Sequence, residues 1–262
     1  MLLTIDVGNT ETKLGCFAGD ELRQTWRVTT ELRRTPDEYG VFFTQLFAAG
    51  GLDPAQIDAV AVASVVPKLD PVLQSACKRF FAADPVFLSP QRQSLVRIAT
   101  EHPAEVGADL VAAAIGGIHR FGAPLILVSF GTATVYTAIS TEGEYLGAAI
   151  APGISVSMDA LIGRTAKLPQ VALEAPAHAI GRNTIQALQS GIVYGFTGQG
   201  EAIVARFRAE MQTKARVVAT GGLADVIAKQ TPVVDAVEPH LSLVGLQLFH
   251  EASNASRRAG SP

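Results

Sequence analysis

Asp6-Val7-Gly8-Asn9-Thr10 runs directly into Glu11-Thr12-Lys13. An acid closes an apolar run, a glycine follows two residues later, and short amide and hydroxyl side chains come next. Glycine there lets backbone N–H groups approach a phosphate closely. Asn9 and Thr10 can donate to phosphate oxygens, and Asp6 can hold a magnesium ion through water. A hairpin turn with an Asx-type bond explains the same residues, so the pentapeptide alone leaves both readings open. Ser129-Phe130-Gly131-Thr132-Ala133-Thr134 repeats the theme after a second apolar run, and Thr220-Gly221-Gly222 is a third glycine turn. Glu105-Val106-Gly107-Ala108-Asp109-Leu110 places a carboxylate, Asp109, near the first turn of a helix. There it complements the helix dipole, or it accepts a hydroxyl proton during phosphoryl transfer. That reaction asks a protein for positioning, charge neutralisation and one proton acceptor.

Other chemistries find little support. Cys16 and Cys77 are the only cysteines and show no CxxC spacing, so neither a disulfide framework nor a zinc site is expected. Five histidines are scattered and never spaced as HExxH. With 21 basic and 24 acidic residues the formal charge is −3, which leaves no basic excess for a phosphate backbone; nucleic acid is not an expected partner. No unbroken apolar stretch reaches ~18 residues, so no membrane association is expected. The opening MLLTIDVGNT lacks a basic region and carries an acid, unlike a signal peptide. A cytoplasmic protein is the resulting expectation. Hydrophobic residues at 48% and charged residues at 17% predict an ordered chain, and 262 residues allow one large domain or two small ones.

The elements that must position these turns alternate. Leu2 to Val7, Thr12 to Phe17 and Leu22 to Thr29 read as strands, with Ala18-Gly19-Asp20 as a hairpin turn. Thr35 with Glu38 three residues on reads as a capped helix start, and Gly50-Gly51 as its stop. A strand over Ile57–Val66, a helix over Leu69–Ala82, a short strand over Pro85–Leu88 and a helix over Val106–His119 follow. The order then begins again. Strands are expected over Leu125–Phe130, Thr134–Ser140 and Tyr145–Ile150, then helices over Val156–Ala166 and Thr184–Glu210. Arg216–Ala219 and Val233–Val237 read as strands around a helix at Leu223–Lys229. Leu241–Ser253 reads as a last amphipathic helix, and 254–262 as a frayed tail. This is a coarse duplication of mixed α/β halves, 1–116 and 117–262, expected to make a ligand cleft between them. Two strand–Gly–Thr turns opening the halves, with a late glycine turn, resemble the actin, Hsp70 and sugar-kinase superfamily (a ribonuclease H-like fold). That superfamily clamps ATP between its halves.

Over nearly its whole length the chain resembles type III pantothenate kinase, including the related Bvg accessory factor proteins. The resemblance rests on Asp6 to Thr10 with Lys13; Ser64-Val65-Val66-Pro67; Gly107-Ala108-Asp109; Gly131-Thr132-Ala133; Gly147 with Ala151-Pro152-Gly153; and Leu168-Pro169. It continues through Gly181-Arg182-Asn183-Thr184 with Gly191 and Tyr194-Gly195; Thr220-Gly221-Gly222; and Leu243, Gly245 and Leu246. It implies transfer of phosphate from ATP to the primary hydroxyl of pantothenate, the first step of coenzyme A synthesis. It also implies a homodimer that needs Mg2+ and a monovalent cation, K+ or NH4+. Carried over, Asp6, Val7, Gly8, Asn9, Thr10, Glu11, Thr12 and Lys13 hold ATP phosphates, with the metal at Asp6. Gly131, Thr132, Gly221 and Gly222 touch ATP from the second half. Asp109 is the proton acceptor, and Thr100, Gly107, Ala108, Leu110 and Thr184 line the substrate site.

Three positions depart from the family pattern. Leu110 stands where an arginine is usual, Ser129 where an aspartate helps bind the monovalent cation, and Thr100 where a tyrosine faces substrate. An arginine suits a carboxylate such as pantothenate's. Losing one charge-assisted bond weakens binding by roughly tenfold to a hundredfold. Arg182 and Arg97 are candidates to replace it, and Ser129 still offers a hydroxyl oxygen. The alternative reading is a divergent member that binds nucleotide as a regulator or phosphorylates another small alcohol.

Overall fold

The computed structural model describes residues 1–259. In chain order the elements are β1 (Leu2–Val7), β2 (Glu11–Ala18), β3 (Glu21–Thr29), α1 (Pro36–Ala49), β4 (Ala59–Ser64), α2 (Asp70–Phe81), β5 (Val86–Phe87) and α3 (Ala108–Phe121). Then come β6 (Leu125–Phe130), β7 (Ala133–Ile139), β8 (Tyr145–Pro152), α4 (Ile154–Gly163), α5 (Thr184–Met211), β9 (Arg216–Thr220), α6 (Ala224–Ala228), β10 (Ala236–Val237) and α7 (Leu241–Ala259). Short 3-10 turns at Pro54–Gln56 and Pro103–Glu105 lie outside the sequence expectation.

By contact the chain forms two units, Met1–Gly116 with Leu241–Pro262, and Gly117–His240. This corrects the expected second half, 117–262: α7 belongs with the first unit. Its Leu243, Val244 and Leu246 are buried, and it packs on β1, β2 and β4. The expected frayed tail is also corrected, because α7 continues to Ala259. Residues 260–262 lie outside the described residues.

Each unit carries a five-stranded mixed sheet, ordered β3-β2-β1-β4-β5 in the first and β10-β9-β6-β7-β8 in the second. The topologies correspond strand for strand. In the first, β1 runs antiparallel to β2 and parallel to β4. In the second, β6 runs antiparallel to β7 and parallel to β9.

Strand alternation sorts the side chains of β1. Leu3, Ile5 and Val7 are fully buried in a cluster with Tyr39, Phe43 and Phe47 of α1 and Leu73 and Cys77 of α2. Thr4 and Asp6 take the other face, which α7 covers. There Leu243 and Val244 pack with Phe17, and Gly15 is close enough to Leu243 that a Cβ would lie 3.1 Å from Cδ1. α1 starts as expected from its capping box: Thr35 accepts from the Glu38 N–H while Glu38 reaches back to Thr35. In the second unit the sheet packs against α5 and α6 through Ile126, Val128, Tyr136, Ile192, Val204, Val217 and Ile227.

Candidate active site

In the first unit the β1–β2 connection is a tight loop. The Gly8 N–H donates to the Glu11 carbonyl at 3.0 Å, and a Cβ on Gly8 would lie only 2.9 Å from that oxygen. Thr30, just after β3, braces the loop. Its hydroxyl donates to the Gly8 carbonyl at 2.7 Å, and its N–H donates to the Thr10 carbonyl at 2.9 Å. Asn9 and Thr10 are exposed at the tip. The loop is thus held from behind and open in front.

Antiparallel register sets Lys13 directly opposite Asp6, and cross-strand neighbours on one face interact. The Lys13 Nζ lies 3.5 Å from Asp6 Oδ2. Asp6 is only 5% exposed, and the Ser242 hydroxyl donates to the same Oδ2 at 2.6 Å. A hydroxyl donor and an ammonium group thus converge on one oxygen of a buried carboxylate.

Asp109 sits in the first turn of α3, whose head makes room for it. A Cβ on Gly107 would lie 2.5 Å from Asp109 Oδ1, so a larger residue there would displace the carboxylate. The Leu110 N–H donates to Oδ1 at 2.9 Å. Burial, and after it the negative charge of Asp6, push the Asp109 carboxyl up from 3.8 to about 6; the Leu110 N–H and the Lys13 ammonium pull the other way. A carboxylate of that basicity takes a proton more readily than an ordinary one and is still ionised at neutral pH.

The remaining positions divide. Val7 has its side chain in the core, so only its backbone is available. Thr12 is 2% exposed, on the face of β2 opposite Lys13, and shares a 2.9 Å hydrogen bond with Thr30. The Thr12 side chain thus braces the hairpin, and its backbone, like that of Val7, is what it can offer a ligand. Glu11 is paired with Arg27. Ala108 is buried, and Leu110 is half-buried. Thr100 lies in the irregular chain before α3, with its hydroxyl oxygen buried and without a hydrogen bond.

In the second unit three glycine turns converge. The Gly153 N–H donates to the Thr132 carbonyl at 3.0 Å, and a Cβ on Gly153 would press on the Gly131 and Thr132 backbone. Gly221, at φ +96°, leaves no room for a Cβ, which would lie 2.8 Å from the Phe130 carbonyl carbon. Thr132 and Gly222 are exposed beside this knot. Ser129 occupies in β6 the place of Asp6 in β1, second from the strand end, but faces Val135 instead of a lysine. Thr184 begins α5 on the surface, after an Asn183 cap that accepts from the Gln186 N–H at 2.9 Å.

Ser242 escaped the sequence reading. It stands 236 residues from its partner, between two leucines of an amphipathic helix, and nothing local marks it. A nearby cage for a metal is also lacking: among the described residues no three His, Cys, Asp or Glu side chains cluster to hold an ion.

The type III pantothenate kinase family model matches residues 2–206. A type III pantothenate kinase from Anaeromyxobacter sp. (strain Fw109-5) is 50% identical over 251 residues, covering 96% of this chain and 99% of that relative. One from Myxococcus xanthus (strain DK1622) is 45% identical over 256 residues, covering 98% and 100%. Among solved structures, a Baf family protein from Campylobacter jejuni superposes with a TM-score of 0.60 at 16% identity, over 97% of this chain and 99% of that one. The ethanolamine utilization protein EutJ from Carboxydothermus hydrogenoformans gives 0.55 at 12% identity, over 94% and 89%. These two likenesses concern the fold, which is the duplicated actin-like one. By its sequence, the chain belongs to the type III pantothenate kinase family.

Proposed function

We propose that this chain transfers the terminal phosphate of ATP to the primary hydroxyl of pantothenate, giving 4′-phosphopantothenate for coenzyme A synthesis. The observation that carries the reading is Asp109. It is a carboxylate pushed up to about 6 at the head of a helix, under the influence of Asp6 and Lys13, in a chain of this family. Asp109 takes the proton of the attacking hydroxyl. The open loop Gly8–Thr10 and Lys13 receive ATP phosphates, and Gly131, Thr132, Gly221 and Gly222 are the second unit's share of the nucleotide. Thr100, with its unpaired hydroxyl, Gly107, Leu110 and Thr184 are assigned to pantothenate.

The buried Asp6 carboxylate at the end of the strand that leads into the open loop fits magnesium, which is commonly held by one or two carboxylates and substrate phosphates. Asp6 would hold it through water. When bound, the ion neutralises charge on the phosphates being transferred. A monovalent cation, K+ or NH4+, is part of the same proposal, with the Ser129 hydroxyl as a neutral donor. The proposed setting is the cytoplasm, where ATP is supplied; no described helix is long and apolar enough to cross a membrane.

A homodimer completes the proposal. In the second unit Ile150 on β8 is 72% exposed and Ile180 82%, with Val156, Leu161 and Ile185 also exposed. Apolar side chains so exposed are suited to an interface. Sedimentation of wild type against Ile150→Glu tests it: a dimer that the charge dissociates supports the surface, and a wild-type monomer ends it.

The function is tested by ADP release with MgATP and pantothenate up to high millimolar, with and without potassium. Asp109→Asn is the blank. Pantothenate-dependent turnover that vanishes in the variant is expected. ATP binding without turnover at any pantothenate concentration would overturn the reading.

A further inference from the structure

We propose that Ser242 is a positioning residue for Asp6, locking its carboxylate so that Oδ1 stays available to the hydrated magnesium of the bound nucleotide. The inference rests on the function proposed above for its ligand, but its geometry is independent of the acceptor. The Ser242 hydroxyl donates to Oδ2 at 2.6 Å, and both residues are 5% exposed. Lys13 Nζ approaches the same Oδ2 at 3.5 Å. The hydroxyl and the ammonium group therefore share one oxygen, and Oδ1 carries neither. An aspartate χ2 is otherwise a broad torsion. A short charge-assisted bond from a fixed donor removes that freedom.

The donor is fixed because its helix is fixed. α7 crosses α3 in backbone contact at two glycines. A Cβ on Gly116 would collide with the Leu241 carbonyl, and one on Gly245 would collide with the Ala112 carbonyl. Such a crossing has almost no freedom to slide. The helix that carries Asp109 thereby sets the place of the helix that carries Ser242, and Ser242 sets Asp6. Ser242 is also a poor choice for apolar packing. It is flanked by the buried Leu241 and Leu243, and among the described residues its hydroxyl has one hydrogen-bond partner, the Asp6 carboxylate.

The test is calorimetric titration of ADP, with magnesium and with EDTA, into the full chain as wild type, Ser242→Ala and Ser242→Thr. Loss of a hydrogen bond to a charged group predicts that Ser242→Ala weakens MgADP binding about tenfold. Metal-free ADP binding should stay unchanged while the melting temperature falls with the loss of a bond to a buried carboxylate, and Ser242→Thr should keep wild-type magnesium dependence. In turnover, Ser242→Ala should raise KM for MgATP more than KM for pantothenate. Equal weakening with and without magnesium, a threonine variant as weak as alanine, an unaffected alanine variant, or a wild type that gains nothing from magnesium would each overturn the proposal. A wild type that binds MgADP but never phosphorylates pantothenate would overturn the function instead, and the ADP titrations would still decide the role of Ser242.

Discussion

Asp109 answers two opposed demands. A proton acceptor must be basic, yet it must be free of its proton at working pH. A carboxyl at about 6 meets both, and burial with the Asp6 charge puts it there. The rate, kcat/KM, should accordingly fall as pH drops through about 6, and Asp109→Asn should lower kcat by about 10²–10⁴-fold. The same shift bears on stability. The folded chain binds this proton more tightly than the unfolded chain, whose carboxyl titrates near 3.8. The contribution therefore turns unfavourable as pH rises from about 4 to about 6 and is constant above. Asp109→Asn should be more stable than wild type at pH 8, by up to about 3 kcal/mol, with the gap closing near pH 3.5. Urea unfolding at the two pH values measures this, and a less stable variant at pH 8 would contradict it. Lys13 pulls Asp109 down. Lys13→Met should move the acid limb of the rate profile upward while weakening ATP; an unmoved limb would separate Lys13 from Asp109.

Helix crossings carry this local chemistry, and their cost can be measured. Gly245→Ala sets a methyl against the Ala112 carbonyl in the α3–α7 crossing. Overpacking of this kind costs about 1–3 kcal/mol, more than the ~1 kcal/mol that alanine gains over glycine in a helix. Gly198→Ala in α5 is the control, since it is exposed with nothing within 4 Å of its new Cβ. The first variant should unfold at lower urea than wild type and the second at higher; the same sign for both would mean that the crossing is loose. These elements also show where sequence is legible. The Thr35–Glu38 box and the apolar stripe behind it act within a turn or two, so the start and stop of α1 can be read directly. The strands β1 and β6 show as apolar runs, and the glycine turns after them stand out by spacing. The facing of Thr12 is less legible: the hydroxyl next to Lys13 in sequence points to the opposite face of β2, where it meets Thr30. Ser242 was hidden because its meaning depends on a crossing between residues 112–116 and 241–245. Two glycines make that crossing, and in sequence they look like ordinary helix weaknesses.

At the scale of the whole molecule, the second unit is an insertion in the first. The chain leaves the first unit at Gly116 and returns at Leu241, and these two residues touch: a Cβ on Gly116 would lie 3.0 Å from the Leu241 carbonyl carbon. The sequence shows two halves in succession, and the return of α7 is invisible there because an amphipathic helix does not name the sheet it will cover. The energetics make the return essential. α7 buries Leu241, Leu243, Val244 and Leu246 almost completely. At ~1.5–3 kcal/mol each, as an upper estimate, this is about 6–12 kcal/mol. The whole stability of a domain is about 5–15 kcal/mol. Residues 1–116 alone should therefore fail to fold, showing no cooperative thermal transition. Because the ends meet, 1–116 joined to 241–262 through a linker of about five residues should recover a cooperative melt and a dispersed amide spectrum. The joined fragment should also keep the bond between Ser242 and Asp6, so that Ser242→Ala perturbs the Asp6 carboxylate resonance there as in the full chain. If 1–116 folds equally well without α7, the C-terminal helix is a cover and not a part of the first unit, and its serine is held by something other than the crossing at Gly116 and Gly245.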